Sequence, residues 1–155
     1  MIGKYMKRNV ISIPSTATIR EAAAQVVRHH IGLLPVVDDQ GKLVGVVDLR
    51  DLLTIELPDF FDLVEDLDFV HDFGAVESTR PTAQQIDRPI SLLMQPAISV
   101  LETCGLLRAY ALMLKHRLHD LPVVNQQGEL VGIASQVDIG TAILATWAFI
   151  APSSP

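Results

Sequence analysis

The chain of 155 residues holds a single cysteine, Cys104, so no intramolecular disulfide can form and a reducing cytoplasm is the expected compartment. It holds no basic stripe: the net charge is −6, and a surface that tracks nucleic-acid phosphates needs the opposite sign. It holds no long apolar run either. Lys4, Lys7, Arg8 and Arg20 interrupt the first 30 residues, so no secretion signal is expected there. The uncharged segment from Ile139 to Pro155 has its apolar core at Ala142–Ala151, shorter than the roughly 20 residues that span a bilayer, and reads as a buried or partner-facing helix. Phosphate loops, nucleophile elbows and metallohydrolase motifs are absent, so no catalytic residue is expected. No Cys/His spacing fits a zinc site, and no metal site is expected. Cys104, near a helix start with no base beside it in sequence, reads as a small apolar residue.

What the chain does have is an internal repeat. "LPVVDDQGKLVGVVDLRDL" (34–52) aligns with "LPVVNQQGELVGIASQVDI" (121–139) at an offset of 87, and the register holds without a gap from Asn9–Leu57 to Pro96–Leu144. Eighteen of these 49 pairs are identical, far above chance, and they include Pro35/Pro122, Gly41/Gly128, Gly45/Gly132 and Asp51/Asp138. Each copy opens with a short apolar strand, Val10–Ile13 or Ala97–Val100. A helix follows. Thr18-x-x-Glu21 is a capping box, and Ile19, Ala22, Ala23, Val26 and Val27 form its apolar stripe; Leu106, Ala109, Tyr110, Met113 and Leu114 do so in copy two. Gly32 is the expected helix stop. Two apolar runs, Leu34–Val37 and Leu43–Val47, flank "DDQG" and read as a hairpin with Gly41 at positive φ. A second helix begins near Asp48, or Ser135. The unit is β-α-β-β-α, and two copies must pack together because one buries too little surface.

The copies are separated by an insert. Residues 56–77 hold eight acids and no Lys or Arg, while the rest of the chain is nearly neutral with twelve basic and ten acidic residues. Four of the five phenylalanines lie here too (Phe60, Phe61, Phe69 and Phe73), and Leu57, Phe60, Phe61, Val64 and Leu67 follow helical spacing. The expected organisation is repeat 1 at 1–57, an acidic, Phe-rich helical insert and linker at 58–88, and repeat 2 with an apolar C-terminal helix at 89–150. The fold class expected is α/β, more narrowly α+β, with pseudo-two-fold symmetry between the repeats.

The duplicated β-α-β-β-α unit, with "LPVV(D/N)xxGxLVG" and an Asp six residues beyond the second glycine, resembles the CBS domain, and two in tandem resemble a Bateman module. The resemblance covers residues 1–57 and about 89–145. It implies a regulatory module without catalytic activity, which binds an adenine nucleotide or S-adenosylmethionine as a regulatory ligand between the repeats. Carried onto this chain, it implies a first cleft that uses Ser135 and Asp138 with Ile11 and Ser12, and Arg8 near any phosphate. It implies a second cleft that uses Asp51 with Ile98 and Ser99, and His119 near any phosphate. Asp would accept hydrogen bonds from a ribose diol, because an ionised carboxylate is acceptor-only with two oxygens. Asp48 stands where the family prefers Ser or Thr, and Asp120 where an arginine is common. Gly32 and Leu33, the counterparts in copy one of His119 and Asp120, carry no charge. The phosphate grip is therefore weak, and a ligand with few phosphates is expected.

Ser135-x-x-Asp138 and Asp48-x-x-Asp51 are also helix caps, a role worth about 1 kcal/mol each. A cap would accept Glu or Gln at its fourth position, so an Asp in the same register of both copies favours a shared ligand role. The function expected is a sensor that transmits ligand binding to a partner protein, as a homodimer, without nucleic-acid or membrane binding. The alternative is a structural homodimerisation module with vacant clefts, whose working surfaces are the insert and the Trp147–Phe149 tail.

Overall fold

A computed structural model describes residues 1–56 and 80–147. The insert phenylalanines, Pro58 and Phe149 lie outside the described residues. Repeat 1 contains β1 (Ile13–Pro14), α1 (Ile19–His29), β2 (Leu33–Val37), β3 (Leu43–Asp48) and α2 (Leu49–Leu53). After α3 (Ala83–Ile86), repeat 2 contains β4 (Val100–Leu101), α4 (Leu106–His116), β5 (Asp120–Val124), β6 (Leu130–Ser135) and α5 (Gln136–Leu144). Each strand and each first helix of repeat 2 lies 87 residues after its counterpart. The sheets have the same form: β1 parallel to β2, β2 antiparallel to β3, and the same order for β4, β5 and β6. A register shift falls at Val36/Val37 and again at Val123/Val124. The fold is thus α+β, built twice.

Local chemistry explains the elements. Thr18 accepts from the Glu21 backbone N–H, and the Glu21 carboxylate accepts in return from the Thr18 backbone. In the hairpin turn, Asp38 Oδ1 accepts from the backbone N–H groups of Gln40 and Lys42; Asn125 repeats this with Gln127 and Glu129. Gly41 and Gly128 close these turns at φ 78° and 81°, where a side chain would be strained.

Three expectations need correction. The first strands are shorter and later than expected, because the ladder to β2 and β5 begins only at Ile13 and Val100; the residues before them run outside the sheet. Helix α1 ends before Gly32: His30 takes the left-handed conformation at φ 53°, and Arg117 does the same after α4 at φ 55°. Val27 and Leu114, equivalent positions of the expected stripes, point outward with 80% and 58% exposure, since only one narrow side of each helix meets its sheet.

The feature that joins the repeats lies upstream of the aligned register. Ile2 and Ile90 each sit in a one-turn 3₁₀ helix, Ile2–Lys4 and Ile90–Leu92, and both are fully buried. Ile2 and Met6 belong to the core of repeat 2, with Val100, Ala109, Met113 and Leu121. Ile90 belongs to the core of repeat 1, with Leu93 and Met94 packed against it. Each repeat therefore lends its lead-in arm to the other. Backbone bonds fix the exchange. Ile2 N–H donates to Cys104 C=O at 2.8 Å and Ile90 N–H to Ala17 C=O at 2.9 Å. Lys7 pairs with Ile133 of β6, and Gln95 with Val46 of β3, both through reciprocal bonds. Met6 lies over Gly132 and Met94 over Gly45, where any Cβ would collide with the methionine. At the opposite end the hairpin tips join: Leu43 N–H donates to Gly128 C=O and Leu130 N–H to Gly41 C=O, each at 3.0 Å.

An arm that completes a core should carry stability out of proportion to its position at the edge of the sequence. Ile2→Ala is expected to destabilise the protein by about 2–4 kcal/mol in denaturant unfolding, the usual cost of truncating a buried isoleucine. Met1→Ala, at an exposed neighbour, should stay within about 0.5 kcal/mol. Equal, small effects would refute the exchange.

Candidate functional site

The arm exchange leaves a cavity of about 280 Å³ between the repeats. Repeat 1 supplies the extended segment Asn9, Val10 and Ile11, with Lys7 before it, and the His30–Leu33 link into β2. Repeat 2 supplies Ile133 of β6, Ser135 and Asp138 at the start of α5, and Asp120 at the start of β5. Ile11 and Ile133 offer apolar walls suited to a flat ring, and the polar groups stand around them.

Ser135 Oγ accepts from the Asp138 N–H, and Asp138 Oδ2 accepts from the Ser135 N–H, both at 3.0 Å. The cap thus occupies one oxygen of the Asp138 carboxylate. Its Oδ1 makes no hydrogen bond within the described residues, and the half-buried carboxylate lines the cavity. Capping and ligand contact are compatible in one side chain. Asp48 and Asp51 form the same reciprocal box, at 2.7 and 2.9 Å. There burial raises the Asp51 carboxyl above its ordinary value, and the negative charge of Asp48 adds to the shift, against the lowering effect of the Asp48 backbone N–H.

Of the residues expected in the first cleft, Ser135, Asp138 and Ile11 are brought together. Ser12 is not among the lining residues, and the Arg8 guanidinium turns to Gly3 C=O at 3.2 Å and Glu102 at 3.7 Å instead. The second set is not gathered into one cavity. His119 lies with Asp48 in a wider opening of about 660 Å³, and Ser99 lines a separate groove beside Cys104 and Arg108. Asp51 and Ile98 line neither of these.

Sequence reasoning missed Lys7, Asn9 and His30. Lys7 was legible in principle: the arms match at an offset of 88, Ile2 to Ile90 and Met6 to Met94, one residue out of the main register. His30 supplies the imidazole that Gly32 and Leu33 could not. Asp120 belongs to the first cleft while its neighbour His119 faces the second, as alternation at a strand start requires. Burial raises the Asp120 carboxyl, and the charge of Asp138 adds to this, while His119 and Lys7 oppose it. Among the described residues no group of three or more His, Cys, Asp or Glu could hold a metal ion, and no helix is long and apolar enough to cross a membrane.

Two β-α-β-β-α repeats that exchange arms around a shared cleft define a paired-domain architecture. The chain belongs to the CBS domain family, whose model matches residues 2–57 and 90–145. Both matched segments start at the exchanged isoleucine. The CBS domain-containing protein CBSX1, chloroplastic, of Arabidopsis thaliana is 30% identical over 154 residues, covering 92% of this chain; the chain spans 64% of that relative's length. A CBS domain protein of Pyrobaculum aerophilum, PAE2072, solved in complex with AMP, superposes with a TM-score of 0.67 at 26% identity, covering 94% of this chain and 98% of that one. The CBS domain pair of protein MJ0100, solved with 5′-methylthioadenosine and S-adenosylmethionine, has the same fold, with a TM-score of 0.67 at 22% identity, covering 95% and 98%.

The raised Asp120 carboxyl has a measurable consequence. Folding disfavours its ionised form, so its cost is absent below the unfolded carboxylate range and complete above the raised folded value. Asp120→Asn removes that cost. The stability difference, variant minus wild type, should grow as pH rises from the carboxylate range to neutrality; urea unfolding at a series of pH values measures it, and a flat difference would contradict the assignment.

Proposed function

We propose that the protein is a non-catalytic regulatory module that binds an adenosine derivative of few phosphates, such as AMP or S-adenosylmethionine, in the first cleft. The observation that carries this reading is the Asp138 carboxylate: one oxygen caps α5 and the other lines a cavity walled by Ile11 and Ile133. A ribose diol can donate to the second oxygen, and an adenine ring can lie against the isoleucines. AMP in the Pyrobaculum structure supports the ligand class. Asp120 disfavours dense negative charge, whereas Lys7 and His30 can meet a single phosphate.

Transmission follows as a population shift. The ligand would tie Asp138 of repeat 2 to the Asn9–Ile11 and His30–Leu33 segments of repeat 1, and stabilise one relative packing of two bodies that already share arms. A protein partner would read the outer surface. That surface is apolar on repeat 2, where Leu107 and Leu114 of α4 and Val137 and Leu144 of α5 are exposed at seven-residue spacing. The same face supports assembly as a homodimer. It also favours the second reading, a dimerisation module with vacant clefts.

Calorimetry with AMP, ADP, ATP and S-adenosylmethionine separates these readings. A ligand in the first cleft predicts submillimolar binding that Asp138→Asn weakens tenfold or more, since a hydrogen bond to a charged group contributes about 1.5–3 kcal/mol. The asparagine oxygen can still cap α5, so the fold is kept. No binding below millimolar, together with a dimer lost on Val137→Asp in analytical ultracentrifugation, would establish the dimerisation reading instead.

A further inference from the structure

The chain has four methionines, Met1, Met6, Met94 and Met113, and the structure describes all of them. Two stand in the exchanged arms, each laid over a buried glycine of the other repeat. The thioether itself makes the contact. Met94 Cγ and Sδ are the atoms nearest the place a Gly45 Cβ would take, and Met6 Sδ and Cγ are nearest at Gly132. The two arms differ in exposure. Met6 is 9% exposed and belongs to the core of repeat 2. Met94 is half-buried: it packs against the core of repeat 1 and keeps part of its surface open to solvent. The methionine that seats the second arm is therefore within reach of a small oxidant, and its equivalent in the first arm is shielded. The next residue, Gln95, makes the reciprocal backbone pair with Val46, at 2.8 and 2.9 Å. A change that lifts Met94 from Gly45 pulls on that pair one peptide away.

We propose that Met94 is a site of reversible oxidation, and that its oxidation loosens the second arm. In the forward step a sulfur lone pair attacks one oxygen of a hydroperoxide. An S–O bond forms, the O–O bond breaks, and the departing oxygen takes a proton and leaves as water or an alcohol. Sulfur is oxidised by two electrons and the peroxide is reduced. In the return step two thiols reduce the sulfoxide to the thioether, become one disulfide and release water, a reaction that methionine sulfoxide reductases perform. The product does not suit its seat. An oxygen added on the Gly45 side has no room, because even a Cβ there would collide. A sulfoxide is also polar, and it would meet the apolar side chains around Ile90, where a buried acceptor without a donor is unfavourable. Met94 then swings outward and the Gln95–Val46 pair opens. The first arm, with Met6 shielded, stays in place. The proposal goes beyond the reading of the first cleft and does not rest on it.

The test is graded hydrogen peroxide treatment of the full chain, followed by peptide mass spectrometry and amide hydrogen exchange. Met94 is expected to oxidise after Met1, which is 61% exposed, and at least tenfold faster than the fully buried Met113, with Met6 close to Met113. Oxidation should accelerate exchange at Gln95 and Val46 tenfold or more and leave the Lys7–Ile133 pair unchanged. Met94→Leu, apolar and without sulfur, should abolish the acceleration. Met94→Gln, polar and of similar length, should reproduce it without peroxide. A methionine sulfoxide reductase supplied with dithiothreitol should restore slow exchange. Three results would each overturn the proposal: Met94 as slow to oxidise as Met113, Val46 exchange that oxidation changes less than twofold, or the same acceleration in peroxide-treated Met94→Leu protein. Exchange that stays fast after the reductase overturns reversibility.

Discussion

The structure depends on the exchange of arms. Each repeat has a three-stranded sheet and two helices, too small a body to shield its own core. The missing cover comes from Ile2 and Met6 for repeat 2 and from Ile90 and Met94 for repeat 1. Close approach is possible because Gly132 and Gly45 have no Cβ. Either repeat alone would lose its cover, so the pair is the folding unit, and the first cleft lies where the first arm crosses from one body to the other.

That arrangement gives the clefts their chemistry. The Asn9–Ile11 segment that follows the first arm is not in a ladder, so its side chains are available to the cavity. The opposite wall is the N-terminus of α5, where the capping box holds Asp138 in a fixed orientation while leaving one oxygen free. At 138 one residue serves the fold with one atom and the cleft with another, which a carboxylate with two acceptor oxygens on a short side chain allows. Divergence between the repeats then acts on charge. Asp48 stands opposite Ser135, Arg50 opposite Val137 and Asp120 opposite Leu33, so one scaffold carries two electrostatic environments.

Much of this was legible from the residues. The 87-residue offset located every strand and both long helices to within a few residues, because turn chemistry such as Asp38/Asn125 and Gly41/Gly128 repeats with it. The caps at Thr18, Asp48 and Ser135 were read from spacing alone, since capping is local. The cleft was legible only in part. Ser135, Asp138 and Ile11 follow from the resemblance to the CBS domain, but Lys7 and His30 did not: one lies beyond a one-residue slip in the repeat, the other sits at a left-handed helix end that glycine was expected to occupy. Arg8 and Ser12 were expected there too; the Arg8 guanidinium meets Gly3 and Glu102 instead, and Ser12 lies outside the cavity lining.

The sequence by itself determined the local structure and the doubling of it, because hydrophobic period, caps and turns act over a few residues and repeat when the chain repeats. Tertiary structure alone decided which arm completes which core, and which of two adjacent residues such as His119 and Asp120 faces which cleft. Those outcomes rest on packing between segments some 90 residues apart, and no local pattern encodes the direction in which one body lends its edge to the other.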